Sequence, residues 1–215
     1  YMKDNKKNIL SDLDKIISIY EQYMLELIEN DPELHTKTIM INTILQRSVA
    51  IIDAYKRIIY SNNILVLNSL MRMQIDNCIF IYGIYLLSKE NNSIAEIYKG
   101  IFIDKRRLSE YVINKRERLC DNYIVGKINK KIPKFKELYE FCCGFIHYSN
   151  TASLLTMETA ENLEIDFYLS SDYKRFEKHT IVNGRSFVNV SMLIIKMLKE
   201  LWISVDNGNA LIIKK

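Results

Sequence analysis

Glycine and proline, the two residues that most often break regular secondary structure, are scarce in this sequence. The 215 residues include 6 glycines and 2 prolines, while isoleucine, leucine, lysine, glutamate, asparagine and tyrosine recur throughout. A β-sandwich with many turns would need more turn residues than this composition supplies. The chain has an ordinary length for folding around one hydrophobic core. We therefore expect an all-α fold, with residues 1–215 forming a single helical domain.

Long apolar runs and a secretion signal are also missing. The apolar stretch at residues 77–88 has 12 residues without a charge, and a helix that crosses a membrane needs about 20 apolar residues. The charged N-terminal residues lack the apolar segment of a secretory signal. These absences predict a protein that works in the cytoplasm and does not enter a membrane.

Metal-binding motifs are absent as well. The 4 cysteines, at positions 78, 120, 142 and 143, show no C-x2-C spacing. An adjacent pair such as 142–143 does not present two thiolates in the way that a zinc knuckle does. Outside a secretory context, such cysteines usually behave as small buried hydrophobic residues. We expect no metal, no cofactor and buried cysteines.

Apolar residues recur at helical spacing along most of the chain and predict a bundle of about six to seven helices. The predicted helices cover residues 11–30, 41–60, 64–87, 93–118 with a break near Gly100, 133–146 and 185–202. Residues 120–133 are interpreted as a loop or a short irregular helix. The alternating pattern at 163–169 predicts a strand, and its expected partner in a small hairpin is 176–182. Asn183 and Gly184 would then turn the chain into the last helix.

The predicted helix at 64–87 is apolar on nearly every side, which is typical of a central helix surrounded by others. Arg72 and Asp76 are its only charged residues between Ile64 and Leu87. Because they stand one turn apart, both side chains project from the same face. Burying an unpaired charge costs several kcal/mol, so each of the two needs a partner.

Positive charge is concentrated between residues 104 and 136. This segment holds 11 of the chain's lysines and arginines and 4 acidic residues, although the whole chain has a net charge of only +4. Lys105, Arg106, Arg107, Lys130 and Lys131 belong to it. Clustered cations with interleaved aromatic residues could bind the phosphates and bases of RNA. The alternative is an ordinary solvated face in a lysine-rich protein.

His147 is one of 3 histidines and interrupts the aromatic and apolar stretch "ELYEFCCGFIHYSN" at residues 137–150. Catalysis by imidazole needs a group that orients the ring or a cation that stabilises developing charge. The neighbouring sequence supplies no cation of this kind. Taken alone, the pattern therefore favours a structural histidine, whose ring nitrogens bond backbone or a carboxylate across the core, over a catalytic one.

Two segments together resemble a known family. "LNSLMRMQIDNCIFIYGIYLL", residues 67–87, is a long apolar helix with an arginine and an acid four residues later, and "YEFCCGFIHYSNTAS", residues 139–153, follows the basic segment. This pattern resembles bacterial helical-bundle families of unknown function in which an L-x-R-x-x-x-E helix precedes a Y-x-x-x-S-x-x-x-H-x-S helix. Those families are related in fold to the HEPN (higher eukaryotes and prokaryotes nucleotide-binding) superfamily. The resemblance covers roughly residues 40–155.

Carried over residue by residue, the resemblance implies a site that contains Arg72, Asp76, Tyr139, His147 and Ser149. His147 would act as general acid or base on a ribose 2′-hydroxyl or a leaving oxygen, and Arg72 would stabilise the charge of the transition state. Asp76 would hold Arg72, while Tyr139 and Ser149 would contact the substrate. The implied activity is that of a metal-independent ribonuclease from a toxin or phage-defence system.

The sequence departs from this pattern at three points. Asp76 replaces the more usual glutamate, and Cys143 stands where a small hydroxyl residue is common. The ribonuclease branch of HEPN proteins carries R-x4-6-H within one helix, whereas the nearest arginine before His147 is Arg118. Arg72 would therefore have to supply the cation from another helix.

Three functions stay open at this point. The first is an enzyme that acts on RNA. The second is a non-catalytic helical module in which Arg72, Asp76 and His147 form a buried polar network and the surface binds a partner protein. The third is a sensor that binds a nucleotide or another small ligand in the same interior site. Apolar faces of the first and last helices would form either a homodimer interface or part of the core.

Overall fold

The computed structural model describes residues 2–90, 92–114, 116–146, 157–159, 165–167 and 173–205, and these residues form a helical bundle. Its α-helices are α1 (Met2–Asn30), α2 (Thr36–Ile58), α3 (Ile64–Lys89), α4 (Ile94–Tyr98), α5 (Asp121–Lys131), α6 (Phe135–Ile146) and α7 (Glu177–Leu201). The predicted all-α fold is therefore confirmed. The helices predicted at 11–30, 41–60, 64–87 and 133–146 correspond to α1, α2, α3 and α6.

Two short antiparallel hairpins accompany the helices. β1 (Val112–Ile113) pairs with β2 (Glu117–Arg118). β3 (Met157–Thr159) pairs with β4 (Ile165–Phe167). The strand predicted at 163–169 contains β4, so a small hairpin in this region is confirmed.

The partner predicted for that strand is wrong, because residues 177–182 belong to the beginning of α7 and Phe176 ends the 3-10 turn before it. Thr180, Ile181, Gly184 and Phe187 are buried along α7. Their spacing of three and four residues extends the helical pattern of the last helix backwards, and Glu177 favours a helix start through its charge in the first turn. The periodicity of the whole helix therefore outweighs the strand-like composition of its first residues.

The turn predicted at Asn183 and Gly184 is also wrong, since both residues lie inside α7. A Cβ atom at Gly184 would stand 2.7 Å from Cδ1 of Ile9, so the glycine allows α1 to approach α7 closely. Asn183 is buried, accepts a hydrogen bond from the Tyr55 hydroxyl at 2.6 Å and donates one to Asn68 at 2.7 Å. Tertiary packing thus uses a dipeptide that is typical of turns.

Helix α3 lies at the centre of the bundle. It packs against α2, α5, α6 and α7, and buried residues such as Leu67, Met71 and Ile75 line it. Trp202, which follows α7, is buried and donates a hydrogen bond to the carbonyl of Ile81 at 3.1 Å. Because other helices surround α3, this helix does not need a polar face toward solvent.

A buried polar network links four helices inside this apolar core. Gln74 of α3 donates to Ser48 of α2 at 2.6 Å and to Ser191 of α7 at 3.0 Å. Tyr20 of α1 donates to the carbonyl of Ser191 at 2.5 Å, and Asn77 donates to Gln74 at 3.0 Å. Buried polar groups are costly when unpaired, so these bonds favour one register of the helices over others.

The basic segment differs from the prediction at both of its ends. The break predicted near Gly100 coincides with a π-helical turn at Lys99–Ile103 that continues α4, but the helix predicted to resume and reach residue 118 does not form, and β1 and β2 lie there. Residues 120–133, interpreted as a loop or irregular helix, contain the regular helix α5. Gly83 leaves room for this helix, since a Cβ there would stand 3.2 Å from Cδ1 of Ile124.

The four cysteines differ in how deeply they are buried. Cys78 and Cys142 are buried as expected, and Cys143 is half-buried, but Cys120 is exposed. Cys120 directly precedes α5 and is the N-cap residue of that helix. The expectation of burial is therefore wrong for Cys120, because the start of α5 lies at the surface.

Two described helices, α3 and α7, are long and apolar enough to cross a membrane by length and composition. Their most apolar windows are 61% and 50% buried inside the bundle. Core helices of soluble proteins show the same combination of hydropathy and burial, so this observation is weak evidence for a membrane span.

Candidate functional site

Arg72 lies on α3 at the place where α5 and α6 pack against that helix. The residue is 8% exposed and forms an ion pair with Asp76, one turn further along α3. From α5, Asp121 accepts a hydrogen bond from Nη2 at 3.2 Å. From α6, Cys143 Sγ accepts from Nε at 3.3 Å, and the Tyr139 ring centre lies 4.4 Å from the guanidinium carbon. One guanidinium group therefore ties three helices together, and we call these five residues the Arg72 cluster.

The carboxylates of the Arg72 cluster reach solvent, whereas its cation does not. Asp76 and Asp121 keep 39% and 52% of their side-chain surface exposed, and Arg72 keeps 10%. Burial alone would lower the pKa of Arg72, but Cys143, Tyr139 and Asp121 act in the opposite direction and the net pKa is raised. Arg72 therefore stays charged, and two carboxylates neutralise it. An RNA phosphate would have to displace at least one of them to reach the guanidinium.

Two protic side chains at this place stay protonated at neutral pH. Burial raises the pKa of Cys142 to about 12. The pKa of Tyr139 is also raised, because burial outweighs the opposing effect of Arg72. A thiol or phenol in this state is a poor nucleophile and a poor general base. Neither residue is therefore suited to act as a nucleophile or a general base.

The structure brings together Arg72, Asp76 and Tyr139, which the family resemblance had placed in one site. His147 and Ser149 lie outside the described residues, so their proposed roles stay predictions. Sequence reasoning missed Asp121, the second carboxylate of the cluster. Its segment, 120–133, was interpreted as a loop or irregular helix, and only the packing of α5 onto α3 brings Asp121 within reach of Arg72.

The predicted RNA-contacting cations occupy two different segments of the surface. Lys105, Arg106 and Arg107 are exposed in the segment after α4. This segment, residues 99–107, is called the basic loop below. Lys130 and Lys131 are exposed in the last turn of α5. Together with Lys127, they form what we call the α5 lysine face.

The α5 lysine face combines positive charge with aromatic rings. Residues 127, 130 and 131 are three and four positions apart, so their side chains share one side of the helix. Lys127 Nζ lies 4.9 Å from the Tyr123 ring centre, and Lys131 Nζ lies 5.7 Å from that of Tyr82. The hydrogen bond with Tyr123 raises the pKa of Lys127. Within the part of the chain that the structure describes, none of the three lysines forms an ion pair with a carboxylate.

An apolar groove of about 1100 Å³ lies between α6 and α7. Phe135, Phe141 and Val182 are among its lining residues, and His179 also contributes. His179 is exposed. The predominantly aromatic and aliphatic lining favours an apolar occupant over the charged phosphates of a nucleotide.

The described residues contain no ligand set for a metal ion. Among the residues that the structure describes, no group of three or more histidine, cysteine, aspartate and glutamate side chains could hold a metal ion. The Arg72 cluster contributes two carboxylates and a thiol, but a guanidinium occupies the space between them.

Comparisons with known proteins add little to this geometry. No family model matches the chain, and no solved structure matches it. A curated protein with detectable similarity is "Putative histone-lysine N-methyltransferase 1" of Plasmodium falciparum (isolate 3D7), which is 27% identical over 139 residues. The aligned region covers 54% of this chain and 2% of that protein. So small a share of the relative carries no argument about the activity of this chain.

Proposed function

We propose that this helical bundle binds RNA through its exposed basic residues, and that the Arg72 cluster is a structural junction and not a catalytic centre. The observation that carries the proposal is the α5 lysine face. Three lysines stand on one side of a helix, and among the described residues no carboxylate pairs with any of them. These lysines release no carboxylate when they bind phosphate, and Lys127 gives up only its hydrogen bond with the neutral Tyr123 hydroxyl, so most of the electrostatic gain is available for binding.

The surroundings of the lysines favour a nucleic acid over a protein with acidic side chains. Tyr123 and Tyr85, which are both partly exposed, lie next to Lys127 and Lys131 with the lysine nitrogens 4.9 and 6.0 Å from the ring centres. Aromatic rings next to lysines suit a ligand that offers both phosphates and flat bases. RNA is the polyanion that the resemblance to HEPN-like toxin and phage-defence proteins predicts, and that resemblance stays a prediction.

The Arg72 cluster supports the non-catalytic part of the proposal. A cation that stabilises a transition state must be aimed at developing charge and must be accessible to the substrate. Arg72 is 8% exposed, and its guanidinium pairs with Asp76 and Asp121. These features suit a residue that holds α5 and α6 on α3.

The test measures RNA affinity by fluorescence anisotropy with a labelled single-stranded RNA of about 16 nucleotides. In the test variant, Lys127, Lys130 and Lys131 are all replaced by glutamine. We expect this variant to bind about tenfold to a hundredfold more weakly at low salt. Between about 50 and 200 mM salt, we also expect the slope of log K against log salt to fall by about 0.7 for each lysine that contacts phosphate.

The matched control removes the same charge from another face. It replaces Lys7, Lys15 and Lys199, which are exposed on α1 and α7, with glutamine. Circular dichroism confirms equal helical content in all three proteins before binding is compared. The proposal fails if the wild-type protein does not bind RNA, or if the control loses as much affinity as the test variant.

A further inference from the structure

Phe102 is an exposed aromatic residue that two other rings hold in place. Phe102 is 39% exposed. The rings of Tyr98 and Phe102 are stacked, with centres 4.9 Å apart and planes inclined by 27°. Phe80 of α3 meets Phe102 edge-on, with ring centres 6.3 Å apart. Tyr98 and Phe80 therefore support the ring from the protein side, and the rest of the side chain is exposed to solvent.

An unusual backbone turn positions this ring. α4 ends at Tyr98 and continues as a single π-helical turn at Lys99–Ile103, closed by a bond from the Asp104 N–H to the Lys99 carbonyl at 2.9 Å. Single π-helical turns are rare and are frequently found at functional sites. Gly100 is essential to the arrangement, because a Cβ there would stand 2.0 Å from the Tyr111 hydroxyl oxygen.

In the sequence of the basic loop, positively charged residues stand before and after Phe102. Lys99, Lys105, Arg106 and Arg107 are exposed, and Asp104 is the one acid of this loop. Within the described residues, none of the four cations forms an ion pair with a carboxylate. A protein partner with an apolar surface would gain nothing from these cations, whereas a nucleic acid would satisfy both the ring and the charges.

We infer that Phe102 is a base-stacking platform that makes the protein prefer single-stranded over double-stranded RNA. An unpaired base lies on the exposed part of the Phe102 ring, and the neighbouring phosphates contact Lys105, Arg106 and Arg107. A duplex keeps its bases stacked on each other and does not offer a free base face. This inference rests on the proposed RNA-binding function and names the substrate class for it.

The experiment compares single-stranded and double-stranded RNA of equal length. The variants are Phe102→Leu, which keeps an apolar side chain without a π-face, and Phe102→Tyr, which keeps the aromatic ring. We expect Phe102→Leu to weaken single-strand binding by about 5-fold to 100-fold. Duplex binding should stay the same, and Phe102→Tyr should restore single-strand affinity.

A second readout reports stacking directly. A 2-aminopurine base in the single-stranded RNA loses fluorescence when it stacks on an aromatic ring, so the wild-type protein should quench it and Phe102→Leu should not. Ile103→Ala is the matched control, because Ile103 is the next residue, is apolar and is 62% exposed. We expect this control to behave like the wild type in both measurements.

The outcomes separate this inference from the proposed function. If the wild-type protein binds RNA and Phe102→Leu changes neither the strand preference nor the quenching, the stacking platform is refuted and the RNA-binding function stands. An equal loss of affinity for both kinds of RNA, or an equal effect of Ile103→Ala, also overturns the platform. If the wild-type protein binds neither RNA, the proposed function and the inference fail together.

Discussion

The guanidinium of Arg72 donates a hydrogen bond to the carboxylate of Asp121 at 3.2 Å, although the two residues are 49 positions apart. Asp121 is the first residue of α5, and Arg72 lies in the middle of α3. This contact joins the helix that carries the proposed RNA-binding lysines to the core of the bundle. It also leaves Arg72 without free charge for a substrate.

Replacing Arg72 with methionine should lower stability more than it lowers RNA affinity. The substitution removes the link between α3, α5 and α6 but keeps an apolar side chain in the buried space. We expect the free energy of unfolding to fall by about 1 to 2 kcal/mol, since both carboxylates are partly solvated and the ion pairs are correspondingly weak. Urea denaturation measures this change. Arg57→Met on the surface of α2 is the control and should leave the unfolding free energy within about 0.5 kcal/mol.

A different result would assign Arg72 another role. If Arg72→Met keeps its stability but loses RNA affinity, Arg72 contacts the substrate and the structural interpretation is wrong. Asp121→Asn adds a second comparison. We expect it to cost about 0.5 kcal/mol, because its side chain is half exposed.

The wild-type protein should bind RNA without cleaving it. Arg72 is the cation that the family resemblance assigns to the transition state, and Asp76 and Asp121 neutralise it. End-labelled total RNA incubated with the protein in EDTA should therefore stay intact, and His147→Ala should give the same result. Cleavage by the wild-type protein that disappears in a folded His147→Ala variant would establish a metal-independent ribonuclease and contradict this prediction.

The hydrogen-bonded pair of Asp31 and His35, between α1 and α2, should make the stability of the fold depend on pH. His35 Nδ1 lies 2.5 Å from Asp31 Oδ1, and this hydrogen bond raises the pKa of His35 above 6.5. Burial acts to raise the pKa of Asp31, but hydrogen bonds from Thr38 and His35 outweigh it, and the net pKa is lowered from 3.8. His35 contributes to the free energy of unfolding. This contribution is complete below pH 6.5 and is lost as the pH rises through the folded-state pKa of His35. The contribution of Asp31 is present above pH 3.8 and is lost as the pH falls through its own folded-state pKa.

An NMR titration of the imidazole resonances checks this prediction. The resonance of His35, assigned through a His35→Gln variant, should titrate above 6.5. In Asp31→Asn the same resonance should shift back toward its ordinary value, because the main cause of the raised pKa is gone. Titration of His35 below 6.5 in the wild-type protein would show that the pair does not form.

Two glycines should respond to alanine in opposite directions. A Cβ at Gly126 of α5 would meet no atom within 4 Å. Gly126→Ala should therefore stabilise the protein by about 0.5 to 1 kcal/mol, through the lower conformational entropy of the unfolded chain. At Gly100 a Cβ would collide with the Tyr111 hydroxyl, so Gly100→Ala should destabilise by about 1 to 3 kcal/mol. Urea denaturation of both variants measures the difference, and equal effects would mean that Tyr111 does not pack over Gly100.

Local periodicity let the sequence predict the fold class and the long helices. α1, α2 and α3 were predicted because their apolar residues recur over many turns, and each turn repeats the same information. The pairing of Arg72 with Asp76 could also be predicted, since four residues along a helix bring two side chains together regardless of the rest of the fold.

The start of α7 and the whole of α5 could not be predicted in this way. The residues at 176–184 combine a strand-like run with a turn dipeptide, and they become helical because Thr180, Ile181 and Gly184 bury against other helices. Residues 120–133 are rich in lysine and asparagine, and the apolar side of this short helix is decided by what it packs against. The conformational preferences of single residues contribute less free energy than the burial of several apolar side chains.

Residue spacing is enough to predict that the chain is helical, that its cations are concentrated between residues 104 and 136, and that Arg72 and Asp76 share a face. Packing between helices adds Asp121 and Cys143 to the cluster and leaves Phe102 exposed and backed by Phe80. The two groups of features differ because the interactions behind them act over different ranges. Contacts within one helix depend on spacing along the chain, whereas contacts between helices depend on how distant segments pack, and the order of residues does not state this packing.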